Sequence, residues 1–408
     1  MKKIIVYIIC MFTCIFSQTS SLSMYGYGEY MNTYDASSIS MGDSKYFSGF
    51  SNRMSFSSPS SYWKNSFSNL MMSIYYNNTT FANQNLIENN FKIISFSFPI
   101  KENNIVALGM NPLLRSDIRV EENDFSFIGS DQSPNGNVLA YNSDYDFSGG
   151  MSEFFILYSS KISKNISFGL KWSKIFGSSK HKYYLNLYNV SFDQDENIQY
   201  SLNNIESFID NNRYSSNKYL LEIRYSWLNL ETVFSYSKTN PLNIEITPYY
   251  DSLGYLETES YYVNDKLFDK GIGLNYLFNE GTGIIFEYHI LNSYNSYDFL
   301  NIYNEDSPSI QSSHIGAYFK IGDGLQSSTV LKVGLFNKTY DFEEHSTYDS
   351  GLTFGIGYNY FENKNFIDAA FKIGRRSTEY SSFENEKYYK LVLSIISGEK
   401  WFVNEREK

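Results

Sequence analysis

The sequence predicts an all-β protein, a 14-stranded antiparallel transmembrane β-barrel with an N-terminal plug segment. Three observations predict this fold. From Asn65 onward, segments of about ten residues alternate apolar and polar side chains, as strands do between lipid and a lumen. The connections between these segments alternate in length. The last segment is an apolar strand that ends in aromatic residues.

The last segment, 387–402, shows the alternation most clearly. One of its faces is wholly apolar and consists of Tyr389, Leu391, Leu393 and Ile395. The other face is polar and includes Lys390. The run ends in Trp401 and Phe402, and we predict that these two residues and Trp227 lie at the membrane interface, where aromatic girdles flank such barrels. This strand is expected to close the barrel against the first strand.

Fourteen segments have strand periodicity: 67–76, 91–100, 104–111, 152–162, 165–175, 217–227, 228–238, 269–278, 282–291, 311–321, 328–337, 350–360, 364–374 and 387–396. Tight turns alternate with longer polar stretches, which we interpret as loops; the longest are 112–151, 176–216 and 239–268. In outer-membrane barrels the short turns are periplasmic. An even number of strands places both termini on that side, so we expect periplasmic termini.

The N-terminus has the pattern of a secretion signal. Lys2 and Lys3 precede the apolar stretch 4–16. The predicted signal peptide is 1–17, and both cysteines of the chain, Cys10 and Cys14, lie within it. The mature chain is therefore expected to have neither disulfides nor thiol chemistry.

Three further regions follow the signal. Residues 18–64 are rich in Ser, Gly and Tyr without a sustained period, and we interpret them as a plug packed at the periplasmic mouth of the barrel. The barrel itself is predicted at 65–402 and a short periplasmic tail at 403–408. The net charge of −11 argues against a nucleic-acid partner, since little positive charge is available to neutralise phosphates.

The predicted inner wall carries many charged residues. The candidate lumen-lining or binding residues are Lys171, Glu222, Arg224, Glu231, Glu287, His289, Lys320, Lys332, Asp368 and Lys372. Two interpretations remain open for them: a ligand path inside the barrel, or a polar interior whose charges satisfy one another and hold the plug. Glu287 and His289 share a face and could form a metal or acid–base cluster, although a polar lumen pair is the more common arrangement. We predict no enzyme activity, no metal and no cofactor.

Short motifs resemble the FadL family of outer-membrane transport proteins, including the PorV- and PorQ-type barrels of Bacteroidota. They are the small-residue opening 34–43, the tripeptide 58–60 (Ser-Pro-Ser, where many members have Asn-Pro-Ala) and the ending 398–402. The resemblance implies an outer-membrane location in contact with lipid. It also implies passive transport of a hydrophobic or amphipathic small molecule, gated by the plug.

The PorV resemblance implies an alternative function. The barrel would be a platform or shuttle component for type IX secretion or for surface attachment, with secreted proteins as partners. An apolar cavity near the outer loops, together with a gap in the wall, would favour transport. A polar, fully plugged lumen with large ordered outer loops would favour a platform.

Overall fold

Fourteen strands, β1 to β14, form the wall of the protein in the computed structural model. Their bounds are Ser68–Phe81, Gln84–Lys101, Asn104–Arg115, Leu139–Lys161, Ile166–Phe192, Ile198–Trp227, Leu230–Thr239, Leu267–Asn279, Thr282–Asn292, Ser309–Ile321, Ser327–Asp341, Ser346–Tyr360, Asn365–Thr378 and Glu386–Glu399. All neighbouring strands pair antiparallel. β14 pairs with β1 from Ser68↔Glu399 to Thr80↔Lys387 and so closes the barrel. The predicted fold class is therefore confirmed.

The structure describes residues 29–31, 33–49, 53–81, 84–115, 117–121, 126–128, 139–192, 198–250, 254–263, 267–279, 281–292, 309–322, 327–341, 346–360, 365–379 and 385–399. The predicted signal peptide 1–17, the predicted tail 403–408, and the predicted interface residues Trp401 and Phe402 lie outside these ranges.

Side chains on the wall alternate between an apolar outer face and a polar, buried inner face. In β14, Leu391 is 51 % exposed whereas the preceding residue, Lys390, is 4 % exposed. Trp227, predicted at the interface, is exposed at the end of β6. Exposed leucine, isoleucine and aromatic side chains suit hydrocarbon, and closure by β14 and β1 means that the sheet does not present an open edge to lipid.

The polar stretches interpreted as long loops are mostly strand, so that part of the prediction is wrong. β5 has 27 residues and β6 has 30, far more than the roughly 9–11 that cross a membrane. The polar stretches pair with one another and continue the hairpins beyond the apolar belt. Their hydrophobic alternation fades there because neither face meets lipid.

We call this extension the projecting sheet. It consists of 139–151 of β4, 177–192 of β5 and 198–216 of β6, with the short strands Ile118–Glu121, Ser126–Ile128, Leu242–Tyr250, Gly254–Tyr255 and Glu259–Val263. The side of this sheet that continues the lumen wall is its inner face.

The segment before β1 lies inside the barrel, and we call its described residues from 29 to 64 the plug. A short strand, Glu29–Tyr30, pairs with the end of β3. Helix α1, Ala36–Ile39, packs against β12 to β14, and a 3-10 helix, Pro59–Lys64, packs against β3 to β6. No helix in the described part of the chain is long and apolar enough to span a membrane.

Buried serines explain why the plug has no hydrophobic period. The N-cap Asp35 accepts a hydrogen bond from the Ser38 amide at 2.8 Å. The Ser38 hydroxyl lies 3.2 Å from that of Ser55, and the Ser55 amide in turn donates to the Ser61 hydroxyl at 2.9 Å. Buried hydroxyls must be paired, and here they pair largely within the plug. A composition typical of a loop therefore forms a packed interior.

Candidate functional site: the plugged lumen

Inward-facing glycines of the wall mark the positions where the plug touches it. A Cβ atom added at Gly334 would lie 2.0 Å from the amide nitrogen of Gly42, and one at Gly355 would lie 2.3 Å from the Cβ of Ser40. A Cβ at Gly169 would lie 2.4 Å from the carbonyl carbon of Pro59. Such distances mean that the plug packs directly on wall backbone. Plug residues crowd other inner-wall glycines in the same way: Gly271, Gly273 and Gly316.

Arg224 and Glu222 of β6 bind the serines on either side of Pro59 in the plug. Arg224 donates to the Ser58 hydroxyl at 2.7 Å, and Glu222 accepts from the Ser60 amide at 3.1 Å. The hydroxyls of both serines also donate to Glu222. The tripeptide 58–60 therefore presents its polar groups to an arginine and a carboxylate on the wall.

A second carboxylate, Glu231 of β7, joins the same group. Its oxygen lies 3.0 Å from the Arg224 guanidinium and 2.7 Å from the Lys64 ammonium of the plug. Arg224 thus lies between two wall carboxylates and is almost fully buried. Removal of any partner would leave the remaining buried charges less well neutralised, which is strongly unfavourable.

Glu287 of β9 binds the plug backbone. It accepts hydrogen bonds from the amides of Lys45 at 2.6 Å and Tyr46 at 2.9 Å. His289 lies 3.1 Å from the same carboxylate, so the predicted Glu287–His289 pair exists, but the plug occupies it. The described residues contain no group of three or more His, Cys, Asp or Glu side chains placed to hold a metal ion.

Asp368 of β13 holds the plug on the opposite wall. It pairs with Arg53 of the plug and with Lys332 of β11, whose ammonium lies 3.0 Å from the carboxylate. All three side chains are nearly fully buried. Lys332 also donates to the Ser37 hydroxyl of the plug. This wall carboxylate therefore neutralises one cation from the wall and one from the plug.

Asp43 of the plug reverses that arrangement. Its carboxylate lies 2.6 Å from Lys338 of β11 and 3.0 Å from Lys372 of β13. Here a single plug anion neutralises two wall cations. Hence the ion pairs between plug and wall run in both directions: the wall supplies the anion in some and the plug supplies it in others. Withdrawal of the plug would remove ion-pair partners from charged residues of both the wall and the plug.

Most of the predicted lumen charges contact the plug. Those with a plug partner are Glu222, Arg224, Glu231, Glu287, His289, Lys332, Asp368 and Lys372. Lys171 instead pairs with Glu153 of β4, and its ammonium lies 5.6 Å from the ring of Tyr34 in the plug. Lys320 lies near the end of β10, beside Gly281 of the β8–β9 turn. A ligand-binding role for these residues stays a prediction.

Sequence reasoning missed several partners. Glu153, Asp269 and Lys338 lie on the inner face, and strand parity could have identified them, since each lies within or next to a predicted strand. Asp43 and Arg53 could not have been identified, because the plug has no periodic pattern from which to infer burial.

Two small cavities lie between the plug and the wall beside Tyr30. Each has a volume of about 20 Å³, and both are lined by Tyr30, Asp269 and Leu291. This volume holds about one water molecule. These cavities are too small for a hydrophobic ligand.

The closed fourteen-stranded wall with its internal plug defines an outer-membrane β-barrel of the FadL-like type. The family model BamG matches residues 1–307. The chain therefore belongs to the BamG family. Family and fold place it among membrane barrels.

Solved structures share the architecture at low sequence identity. The "CymD monoaromatic hydrocarbon channel" is 10 % identical with a TM-score of 0.56, covering 91 % of this chain and 99 % of that one. A FadL homologue from Pseudomonas aeruginosa is 12 % identical with a TM-score of 0.56, covering 90 % and 98 %. The toluene transporter TodX of P. putida is 12 % identical with a TM-score of 0.51, covering 91 % and 99 %. These likenesses establish the fold. No curated protein sequence matches the chain.

Proposed function

We propose that the protein is a closed outer-membrane platform, in which the barrel anchors the projecting sheet at the cell surface and the sheet holds partner proteins there. The observation that carries this proposal is the polar, plugged lumen, with ion pairs joining plug and wall in both directions. The long hairpins are assigned to the outside and both termini to the periplasm, because the short turns of such barrels are periplasmic.

The energetics of the lumen support a permanent seal. Passage of a molecule would separate Asp368 from Arg53 and Asp43 from its two lysines, leaving charges in a largely dry interior. Each broken buried pair costs about 3–5 kcal/mol unless water replaces the lost partner. A hydrophobic ligand offers none of these groups a substitute. The contacts therefore favour a plug that stays in place.

A second candidate is plug-gated passage of hydrophobic or amphipathic small molecules. The observation that favours it is the shared fold with solved structures named as a hydrocarbon channel and as a toluene transporter. This function requires the plug to move away from the wall. The two candidates therefore differ in whether the plug must move.

A disulfide between plug and wall would separate the candidates. The Ala36 amide donates to the Ser394 hydroxyl at 2.8 Å, so cysteines at both positions would join α1 to β14. The double variant Ala36→Cys/Ser394→Cys would be expressed in a host that lacks its own long-chain fatty-acid transporter. Growth on oleate and recovery of a stoichiometric surface partner would be measured with the disulfide formed and with it reduced.

A platform predicts no growth on oleate in either state and the same recovery of the partner in both. A gated transporter predicts growth with the reduced plug and its loss with the locked plug. Each single-cysteine variant serves as a matched control, since it carries the same local change without the cross-link. Oleate growth that disappears only on locking would overturn the platform proposal.

A further inference from the structure

Four aromatic rings form a row across the inner face of the projecting sheet. Tyr145 pairs in register with Tyr183, Tyr183 with Phe208, and Phe208 with Tyr250, so the row crosses four strands. Successive ring centroids are 5.5, 5.8 and 4.4 Å apart. All four rings are half-buried. Because this face continues the inner wall, the row faces the barrel axis beyond the apolar belt and not the lipid.

An unpaired carboxylate lies one step toward the membrane from this row. Asp210 follows Phe208 by two residues, so both side chains are on the same face of β6. Asp210 is only 2 % exposed, and its Oδ1 has no hydrogen-bond partner. Asn212, next on the same face, is 7 % exposed, and its Oδ1 also has no partner. Two buried acceptors without donors beside an aromatic row require an explanation.

Among the described residues, the groups that face Asp210 do not supply a cation. His181 is its register partner on β5, Pro248 is its partner on the short strand beyond, and Tyr214 lies on its own strand. Burial lowers the pKa of His181 to about 4, so the imidazole is neutral at physiological pH. Inner-face positions within 145–149, 179–183, 208–212 and 246–250 hold no lysine or arginine.

The lysines of the sheet lie on its other face. Lys182 follows His181 in β5, so its side chain is on the opposite face of the sheet, where it pairs with Asp146 at 3.0 Å. Glu206, two residues before Phe208, adds a further acidic group at an exposed position of the inner face. The two faces therefore differ in charge: the outer face pairs an acid with a lysine, whereas the inner face at these positions has an acid and aromatic rings but neither lysine nor arginine.

We infer that this inner face binds a basic segment of a partner protein, with an arginine or lysine side chain stacked on the aromatic row and bonded to Asp210. A guanidinium or ammonium group is attracted to aromatic faces and donates strong hydrogen bonds to carboxylates, so one group satisfies both features. The Asn212 oxygen accepts a further N–H. This inference rests on the proposed platform function and specifies the chemistry of its partner.

The test measures binding of a short alternating Arg-Ser peptide to the full-length protein in lipid nanodiscs by calorimetry. Asp210→Asn keeps the shape and removes the charge, so we expect the peptide to bind about tenfold to a hundredfold more weakly. Asp146→Asn is the matched control, because it makes the same change on the same sheet but on the other face; its binding should equal that of the wild type. Phe208→Leu should weaken binding several-fold.

Two results would overturn the inference: equal binding by the wild type and Asp210→Asn, or an equal loss in Asp146→Asn. A neutral oligosaccharide and a Glu-Ser peptide are the comparison ligands. Tighter binding of the oligosaccharide than of the Arg-Ser peptide would likewise reject a cationic partner. The two tests can fail independently. If the Arg-Ser peptide does not bind but the plug-locked protein still retains its partner, the inference is wrong and the platform proposal stands. If oleate growth disappears on locking, the platform proposal is wrong whether or not the peptide binds.

Discussion

Asp368 illustrates how one side chain can hold two parts of this molecule together. Its carboxylate pairs with Lys332 on the wall and Arg53 in the plug, and all three are buried. A buried ion pair is not by itself stabilising, because its charges have lost their hydration. Its importance lies in the penalty for removing one partner. The same reasoning applies to Arg224, Glu287 and Asp43.

We therefore expect Asp368→Ala to destabilise the protein by about 3–5 kcal/mol, since two buried cations lose their carboxylate. Urea unfolding in detergent would measure the change. Lys182→Ala is the control, because Lys182 and Asp146 form a pair whose side chains are 25 % and 32 % exposed. Removing that pair should change the free energy of unfolding by less than about 1 kcal/mol. Similar losses in both variants would contradict the importance of burial.

Gly334 permits the closest approach of plug to wall. An alanine Cβ would lie 2.0 Å from the Gly42 amide nitrogen. Gly42 has a φ of +79°, and a Cβ added there would lie 2.4 Å from the carbonyl oxygen of Leu335 on the wall. Neither backbone can retreat easily. We expect Gly334→Ala to destabilise the protein by about 1–3 kcal/mol and to make the plug sensitive to protease.

Limited proteolysis followed by mass spectrometry would locate the cleavage within 29–64. Gly351→Ala is the matched control, because the three atoms nearest to its Cβ all belong to the wall, the closest being the Ile373 carbonyl oxygen at 2.0 Å. That variant strains the wall and should leave the plug protected. Plug cleavage in both variants or in neither would refute the proposed role of Gly334.

At the scale of elements, contact with lipid determines which strands can be identified from the sequence. Lipid imposes an apolar face, so 217–227 was identifiable as a strand from its alternation alone, and it forms the last part of β6. The remainder of β6, from Ile198, was interpreted as a loop because both of its faces meet polar surroundings. Only its pairing with β5 reveals the strand, and pairing is not encoded in local periodicity.

The plug shows a different limit. Its buried serines bond to one another and to backbone, so no hydrophobic period marks it as an interior element. The inner-wall charges were identifiable by parity, but their partners were not, because these come from a segment without parity. Thus the charged residues that the wall contributes to the candidate site were predictable from the sequence, whereas their partners in the plug are evident only in the folded structure.

The projecting sheet should have an unusual pH profile. Burial raises the pKa of Asp210 from 3.8 to about 7 and lowers that of His181 from 6.5 to about 4. The raised acid stabilises the fold at low pH and loses this contribution as pH increases from about 4 to 7. The lowered histidine destabilises the fold at low pH, and this effect disappears as pH increases from about 4 to 6.5. The two slopes therefore oppose each other.

We expect the local stability of this sheet to be nearly constant across that range in the wild type. In Asp210→Asn the histidine slope remains alone, so stability should increase with pH by up to about 1.4 kcal/mol per unit. His181→Gln should give the opposite slope. Hydrogen exchange of the β5–β6 amides, corrected for intrinsic rates, would measure it. A flat profile in both variants would mean that neither group titrates as burial predicts.

For the whole molecule, the barrel's size makes the plug necessary. Eight-stranded barrels fill their interior with wall side chains, whereas those with 16–18 strands enclose a water-filled channel. Fourteen strands fall between these, and the inner wall here replaces several side chains with glycine where the plug packs. The wall alone therefore cannot fill its own lumen, and the plug provides the missing interior.

Deletion of 31–64 should consequently convert a sealed barrel into an open pore. The lipid-facing surface and the β14–β1 closure do not involve these residues, so we expect the wall still to assemble, with water replacing the plug groups that contact Glu222, Arg224 and Asp368. Planar-bilayer recordings should show steady ion conductance for the deletion variant and none for the intact protein. Heat-modifiable migration in SDS gels would establish that the variant is folded.

A variant with the segment replaced by a Gly-Ser linker of equal length controls for the mere presence of chain in the lumen, and it should conduct as well. A folded deletion variant that does not conduct would mean that the wall closes without the plug, and the plug would then not be the seal.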